Sequence, residues 1–253
     1  MLSTSRAQLH PCVAHRGWSG GAPENTLAAF RLAMSEPEVH WIELDVHLSR
    51  DGVPVVIHDA TLGRTTNGRG RVADYTAAQL SRMDAGSWFH PIYACEPIPT
   101  LEQVLVLTAG RCRLNIELKQ GGDDPDRLAR RVADMVRSFR LESETVLTSF
   151  VPELIVAARR HRPQIATGLI IDRRPPGLVS ALRSLGASFL SIGYASLHPS
   201  LLQEAASAGI QTMVWTVNQP QDLRRLAAMP QPFLICTNYP DRWLAAVKAA
   251  KRR

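Results

Sequence analysis

The chain has 253 residues, enough for one large α/β domain or two small ones, and its 45% hydrophobic and 21% charged residues are ordinary for a soluble globular protein. No apolar run approaches the roughly 18 residues that span a bilayer, and Met1 to Arg6 lack the apolar core of a secretory signal, so no stable membrane insertion is expected. The net charge of +6 suits an anionic small-molecule substrate; without a nucleic-acid motif or an aromatic-interleaved basic patch it points to no nucleic-acid partner, and the oligomeric state is not encoded in it.

Cys12, Cys95, Cys112 and Cys236 are far apart and form no Cys-x-x-Cys pair. They read as reduced, mostly buried thiols, and the expected location is cytoplasmic.

In chain order, Cys12-Val13-Ala14 is a strand leading into His15-Arg16-Gly17. A helix is predicted over Thr26–Met34, capped by Asn25 or Thr26, with Leu27, Phe30 and Met34 on one face. Extended runs follow at Ile42–Val46 and Val53–Ile57. Asp59 to Pro99 is long and turn-rich, with a short helix at Thr76–Met83. From there strands at Leu114–Leu118, Thr145–Thr148, Ala166–Ile171, Phe189–Ile192, Gln211–Val217 and Phe233–Thr237 alternate with helices. The helices are predicted at Pro125–Phe139, Pro152–His161, Gly177–Leu185, Ser200–Ala208, Gln221–Ala228 and Arg242–Lys251. The basic end, Lys248 with Lys251, Arg252 and Arg253, reads as a solvated helix terminus.

A strand then a helix, about eight times over, is the pattern of a (β/α)8 TIM barrel. No Gly-x-Gly-x-x-Gly follows the first strand, against a dinucleotide fold. The expected organisation is one barrel domain over residues 1–253, with a small insertion at about 59–99 after the second strand region. An insertion at the C-terminal end of a barrel strand falls over the mouth, where it can cover a substrate.

Glu43 and Asp45 sit two apart on a predicted strand, hence on one face and roughly 6.5–7 Å apart along the chain. Two arrangements satisfy that alternation. Ile42, Leu44 and Val46 face the core while the acids face solvent, or the acids point inward and need a cation or donors to offset burial. The other strand ends favour the second. His15 and Arg16 follow strand one, His58 ends the nearby extended run, and Glu117 and Lys119 close strand three. Ser149, His198, Trp215, Asn218 and Asn238 lie at later strand ends. Glu43, Asp45 and Glu117 form an all-oxygen set of the kind magnesium or calcium prefers. Arg16 and Lys119 suit a phosphate, and His15 and His58 suit an acid/base pair.

Six motifs in order carry a resemblance. Ala14-His15-Arg16-Gly17, Pro23-Glu24-Asn25-Thr26, Glu43-Leu44-Asp45-Val46, Val56-Ile57-His58-Asp59 with Leu62-Gly63-Arg64-Thr65-Thr66, Asn115-Ile116-Glu117-Leu118-Lys119 and Trp215-Thr216-Val217-Asn218 resemble the glycerophosphodiester phosphodiesterase family. Pro97-Ile98-Pro99-Thr100-Leu101 continues the match. Asn238 departs from it, because many members carry Asp there. The resemblance implies metal-dependent hydrolysis of glycerophosphodiesters to glycerol 3-phosphate and an alcohol. It implies one divalent cation, Mg2+ or Ca2+, on Glu43, Asp45 and Glu117, and general acid/base catalysis by His15 and His58. Arg16 and Lys119 would hold the phosphate, Trp215 would pack on the glycerol, and Glu24 and Asn25 would shape the first loop. The glycerol 2-hydroxyl would attack first, giving a cyclic phosphate that water opens. The alternative is a lysophospholipase D acting on lysophospholipids, with Trp88, Phe89, Ile92 and Tyr93 of the insertion forming an apolar approach.

Overall fold

The computed structural model of the protein describes residues 6–121 and 124–250; the basic tip at Lys251, Arg252 and Arg253 lies outside the described residues. The first elements are α1 (Arg6–Leu9), β1 (Cys12–His15), α2 (Leu27–Met34), β2 (Trp41–Leu48) and β3 (Pro54–Val56). A turn-rich stretch with α3 (Ala77–Leu80) leads to α4 (Leu101–Thr108) and β4 (Arg113–Leu118). Then come α5 (Pro125–Ser138), β5 (Thr145–Ser149), α6 (Pro152–His161), β6 (Ala166–Ile171), α7 (Leu178–Ser184) and β7 (Phe189–Gly193). The chain continues through α8 (Pro199–Ser207), β8 (Gln211–Trp215), α9 (Pro220–Ala227), β9 (Leu234–Thr237) and α10 (Pro240–Ala250).

Local chemistry sets the helix starts. Thr26 caps α2 by accepting from Ala29 N–H, and Asp124 caps α5 by accepting from Arg127 N–H. Proline occupies the first turn of α5, α6, α8 and α9, where its missing N–H removes a donor that would have no helical partner. The sequence pattern did not predict α4. Its Thr100–Gln103 capping box is legible, but Leu101, Val104, Leu105, Val106 and Leu107 are apolar nearly all round and blur the helical period.

All strands but β3 pair in parallel, in the order β1, β2, β4, β5, β6, β7, β8, β9, and β9 returns to β1. The result is a closed eight-stranded parallel barrel with flanking helices, as the alternation predicted. Closure buries both faces of each strand. Ile42, Leu44 and Val46 point outward into the apolar layer shared with the helices. Trp41, Glu43 and Asp45 therefore point into the lumen. The arrangement with the acids toward solvent is overturned because β2 is a two-sided buried strand, not an amphipathic one.

The lumen has two levels. Its floor is apolar: Val13, Trp41, Val146, Phe189, Met213, Leu234 and Cys236 pack together. Gly168 belongs to this wall, and a Cβ there would come within 2.4 Å of the Phe189 carbonyl oxygen. Above the floor the lumen turns polar, with His15, Glu43, Asn115, Glu117 and Ser191 toward the C-terminal strand ends.

β3 runs antiparallel along the C-terminal end of β2, pairing Val46 with Val56 and Leu48 with Pro54. The Ile57 N–H donates to the Asp45 carbonyl (3.1 Å), which delivers His58 to the mouth. The segment beyond has its own small core of Val55, Ile57, Leu62, Val72, Leu80, Ala85 and Ile98. It is tied to the barrel where Glu96 accepts from Ala28 N–H and where the Tyr93 hydroxyl donates to the Gly21 carbonyl.

The fully buried Trp243 of α10 donates its Nε1–H to the His10 carbonyl at 2.9 Å, closing the helical layer over β1. Trp243→Ala is expected to cost about 4 kcal/mol, a fall of roughly 10 °C in the melting midpoint for a chain of this size, measured by thermal denaturation.

Candidate active site

The turn after β1 begins the site. Arg16 and Gly17 both take positive φ (55° and 79°), and Gly17 sits so close to α2 that a Cβ would meet the Ala29 carbonyl carbon at 2.7 Å. Arg16 carries a Cβ in a left-handed region that most non-glycine residues avoid, at a cost of order 1 kcal/mol or more. Two backbone bonds hold it there: Arg16 N–H donates to Glu43 Oε2 (2.9 Å), and Asn25 N–H, itself at φ 58°, donates to the Arg16 carbonyl (3.0 Å).

Parallel register assembles the acids. Asp45 of β2 lies beside Glu117 of β4, and Glu43 lies beside Asn115. One oxygen from each of Glu43, Asp45 and Glu117 lies within 4.8 Å of the others. Lys119 Nζ donates to Glu117 Oε1 (2.7 Å) and stands 3.5 Å from Asp45 Oδ1. Arg16 Nε is 3.3 Å from Asp45 Oδ2, and its Nη1 donates to Glu24 Oε1 (2.9 Å). Asn25 Nδ2 also donates to Asp45 Oδ2 (2.8 Å). Even so, Asp45 Oδ1 is buried with no hydrogen-bond donor.

The electrostatics follow from crowding. Burial and then Asp45 push Glu43 well above the usual carboxylate range, and the same two causes push Glu117 up to about 7. Burial acts upward on Asp45 too, but Arg16, Lys119 and His58 outweigh it and hold that carboxyl far below its ordinary value. Burial would lower Lys119, yet Asp45 and Glu117 raise it. Three inward carboxyls thus share two cations, one of which is also committed to Glu24. A buried all-oxygen set short of positive charge, with a carboxylate oxygen that receives no hydrogen bond, fits a hard divalent cation.

Two histidines face the same cavity from opposite kinds of support. His15 Nδ1 lies 2.6 Å from Asn238 Oδ1; an amide oxygen only accepts, so Nδ1 carries the proton and Nε2 faces Glu43 Oε2 at 3.9 Å. Burial, then the Arg16 charge, lowers His15 to about 4, so that contact is not an ion pair at neutral pH. Asn238 is itself held by Asn218, whose Oδ1 accepts the Asn238 N–H (3.0 Å). His58 Nδ1 donates to Asp59 Oδ1 at 2.5 Å. Hydrogen bonds from Arg64 are the main reason that Asp59 sits at about 2.

The cavity holds about 130 Å³ and is lined by His15, Arg16, Glu43, His58, Glu117, Lys119 and Trp215 among the residues anticipated from sequence. Asp45 is fully buried beneath them. Ser149 turns away to donate to the Leu118 carbonyl, and the exposed His198 caps α8. Several residues at the site were not anticipated. Phe150 is 48% exposed and meets Trp215 edge to face at 5.7 Å. Asn115 accepts from the Thr148 hydroxyl at 2.6 Å in the lumen. The Asn115-x-Glu117 spacing signalled Asn115, since both side chains share a strand face; nothing in the local sequence marked Phe150.

A closed (β/α)8 barrel with a charged cavity at the C-terminal strand ends is the architecture of a barrel enzyme. The model of the Glycerophosphoryl diester phosphodiesterase family matches residues 15–242. Glycerophosphodiester phosphodiesterases of Bacillus altitudinis and Caldanaerobacter subterraneus are 41% and 36% identical to this chain, over 90% and 85% of it and 94% and 88% of their own lengths. A solved Oleispira antarctica phosphodiesterase, in complex with the product sn-glycerol-3-phosphate, superposes with a TM-score of 0.88 at 30% identity, covering 96% of this chain and 99% of that one. A glycerophosphodiester phosphodiesterase from Agrobacterium tumefaciens gives a TM-score of 0.81 at 33% identity, covering 93% and 99%. This chain belongs to the glycerophosphoryl diester phosphodiesterase family, as its six motifs anticipated, and it is a hydrolase. Among the described residues, no helix is long and apolar enough to cross a membrane.

The raised acids link pH, cation and stability. Between the unfolded glutamate value of roughly 4.3 and the folded value near 7, Glu117 holds more of its proton in the cation-free fold than in the unfolded chain, so its contribution to stability falls as pH rises, whereas His15, lowered to about 4, contributes in the opposite sense. In chelated protein the Glu117→Gln change is therefore expected to raise the melting midpoint more at pH 8 than at pH 5. Saturating Mg2+ or Ca2+ should raise the midpoint by about 5 °C or more at pH 8 and by less at pH 5, read by scanning calorimetry.

Proposed function

We propose that the cavity hydrolyses glycerophosphodiesters to glycerol 3-phosphate and an alcohol with the help of one divalent cation. The observation that carries this reading is the meeting of three carboxyl groups within 4.8 Å, two cations and two imidazoles at one mouth. Glu43, Asp45 and Glu117 would hold Mg2+ or Ca2+. When bound, the ion acts as a Lewis acid that draws charge from a phosphoryl oxygen.

The chain's own groups do the rest. Arg16 and Lys119 neutralise the phosphate, which gains negative charge as the transition state forms. Both are anchored by carboxylates, so little side-chain freedom is lost when substrate arrives. His15 and His58 each have Nδ1 committed to an acceptor, which leaves Nε2 of both free for proton transfer. In the first step one imidazole takes the proton of the glycerol 2-hydroxyl as its oxygen bonds to phosphorus, and the other gives a proton to the alcohol oxygen whose P–O bond breaks. In the second step the roles reverse: water adds to phosphorus of the cyclic phosphate and the 2-oxygen leaves with a proton, giving glycerol 3-phosphate. Trp215, backed by Phe150, packs against the glycerol carbons.

Trp88, Phe89, Ile92 and Tyr93, which a lysolipid-cleaving enzyme would place along its approach, do not line the cavity. Phe89 packs edge-on against both Trp88 and Tyr93. No observation here favours the lysolipid substrate over the smaller diester.

His15→Ala and His58→Ala are each expected to lower kcat by about 100-fold or more with an unchanged melting profile, measured as glycerol 3-phosphate released from glycerophosphocholine. A near-normal rate in either variant removes that residue from the mechanism. Exhaustive chelation is expected to stop turnover, and Mg2+ or Ca2+ to restore it; full activity after chelation would end the cation assignment.

A further inference from the structure

Arg64 stands on the segment after β3, is 44% exposed at its side chain, and is not among the residues lining the cavity. Its guanidinium is nevertheless almost wholly spent. Nε donates to Asp59 Oδ2 (2.7 Å) and Nη2 to Asp59 Oδ1 (3.1 Å). On the other side Nη1 donates to Glu24 Oε2 (3.0 Å) and Nη2 to Glu24 Oε1 (2.7 Å). Four of its five N–H groups therefore go to two carboxylates, each gripped in a two-pronged fork.

Those carboxylates lead to the catalytic cavity. Asp59 Oδ1 receives the Nδ1–H of His58, and Glu24 Oε1 receives the Nη1–H of Arg16. The chain of contacts Arg16, Glu24, Arg64, Asp59, His58 thus joins the β1 turn to the insertion across the rim. His58 follows immediately after Ile57, and its imidazole keeps about 30% exposure, so packing alone does not fix the ring. The direction of the Asp59 carboxylate does, and that direction is set by Arg64.

We propose that Arg64 is a positioning residue: by clamping Asp59 between itself and His58, it fixes the ring orientation and tautomer that present Nε2 to the reacting phosphodiester. An ionised Asp59 only accepts, so the proton on His58 stays on Nδ1 while the clamp holds. Glu24 is the fixed post on which the guanidinium pivots. With its donors committed, Arg64 does not itself bind substrate. A methionine in its place leaves Asp59 free to swing toward solvent and the imidazole free to rotate.

The inference rests on the reading of His58 as a proton-transfer group, and the test separates the two. Steady-state kinetics on glycerophosphocholine with saturating Mg2+ are compared for the intact chain, Arg64→Met, Arg64→Lys, Asp59→Asn, the Arg64→Met/Asp59→Asn double variant and His58→Ala, each with its melting midpoint. Arg64→Met is expected to lower kcat roughly 10- to 100-fold, since small misplacements of a reacting group carry penalties of that size, while KM changes by less than about twofold. Arg64→Lys, with a single point charge in place of a fork, should recover only part of the loss. In the Asp59→Asn background the Arg64 change should add less than about twofold, because both act through one contact. The midpoints of these surface variants should stay within a few degrees of the intact chain.

Three outcomes overturn the proposal: an unchanged kcat in Arg64→Met, a rise in KM at constant kcat, or losses that multiply in the double variant. An inactive His58→Ala beside a fully active Arg64→Met defeats this inference alone. A fully active His58→Ala defeats the catalytic reading and the inference with it.

Discussion

Placing Asp45 beside Glu117 in parallel register is the constraint from which the rest of the site follows. It puts buried acids on adjacent strands at one level of a closed lumen, where water cannot screen them. Every neighbouring feature reads as a response to that concentration of charge. Lys119 curls back over both acids, Arg16 is held in a backbone conformation few residues accept, and Asn25 spends its amide on the same carboxylate. With those donors in place Asp45 stays ionised, whereas Glu43 and Glu117 are driven upward. Buried charge of this kind adds little to stability.

Support for the two imidazoles is divided between different parts of the fold. His15 is braced from within the barrel by the β8 and β9 ends, through Asn238 and Asn218. His58 is braced by the insertion, through Asp59 and Arg64. A neutral amide behind one ring and a carboxylate behind the other make the two rings electrostatically unequal, although both keep Nε2 open to the cavity. Asn238, where many members of the family carry Asp, keeps a hydrogen-bond acceptor behind His15 without adding a further buried negative charge to an already acidic lumen.

Much of the fold was legible before any coordinates. Eight strand–helix alternations, prolines at helix starts and short runs of β-branched residues are local signals, because propensity and capping act over a few residues. The misses were also local in origin. α4 was hidden because its apolar residues surround the helix, so the period that marks an amphipathic helix is absent. On β2 the alternation alone left the inner face open, since Ile42, Leu44 and Val46 look like the core face of a one-sided sheet until helices cover them; the charged residues at the other strand ends pointed to the inward acids that the barrel shows.

The linear sequence determined which side chains could do chemistry, and their order along the strands placed the acids, the imidazoles and the two cations at strand ends. Only the closed barrel decided that Glu43 and Asp45 point into the lumen, that Glu117 arrives beside them, and that Phe150 backs Trp215 while Ser149 and His198 turn elsewhere. It also decided that Arg64, Asp59 and Glu24 interlock across 40 residues of chain. Strand register and the closure of β9 onto β1 are long-range hydrogen-bond choices, and no local propensity encodes them.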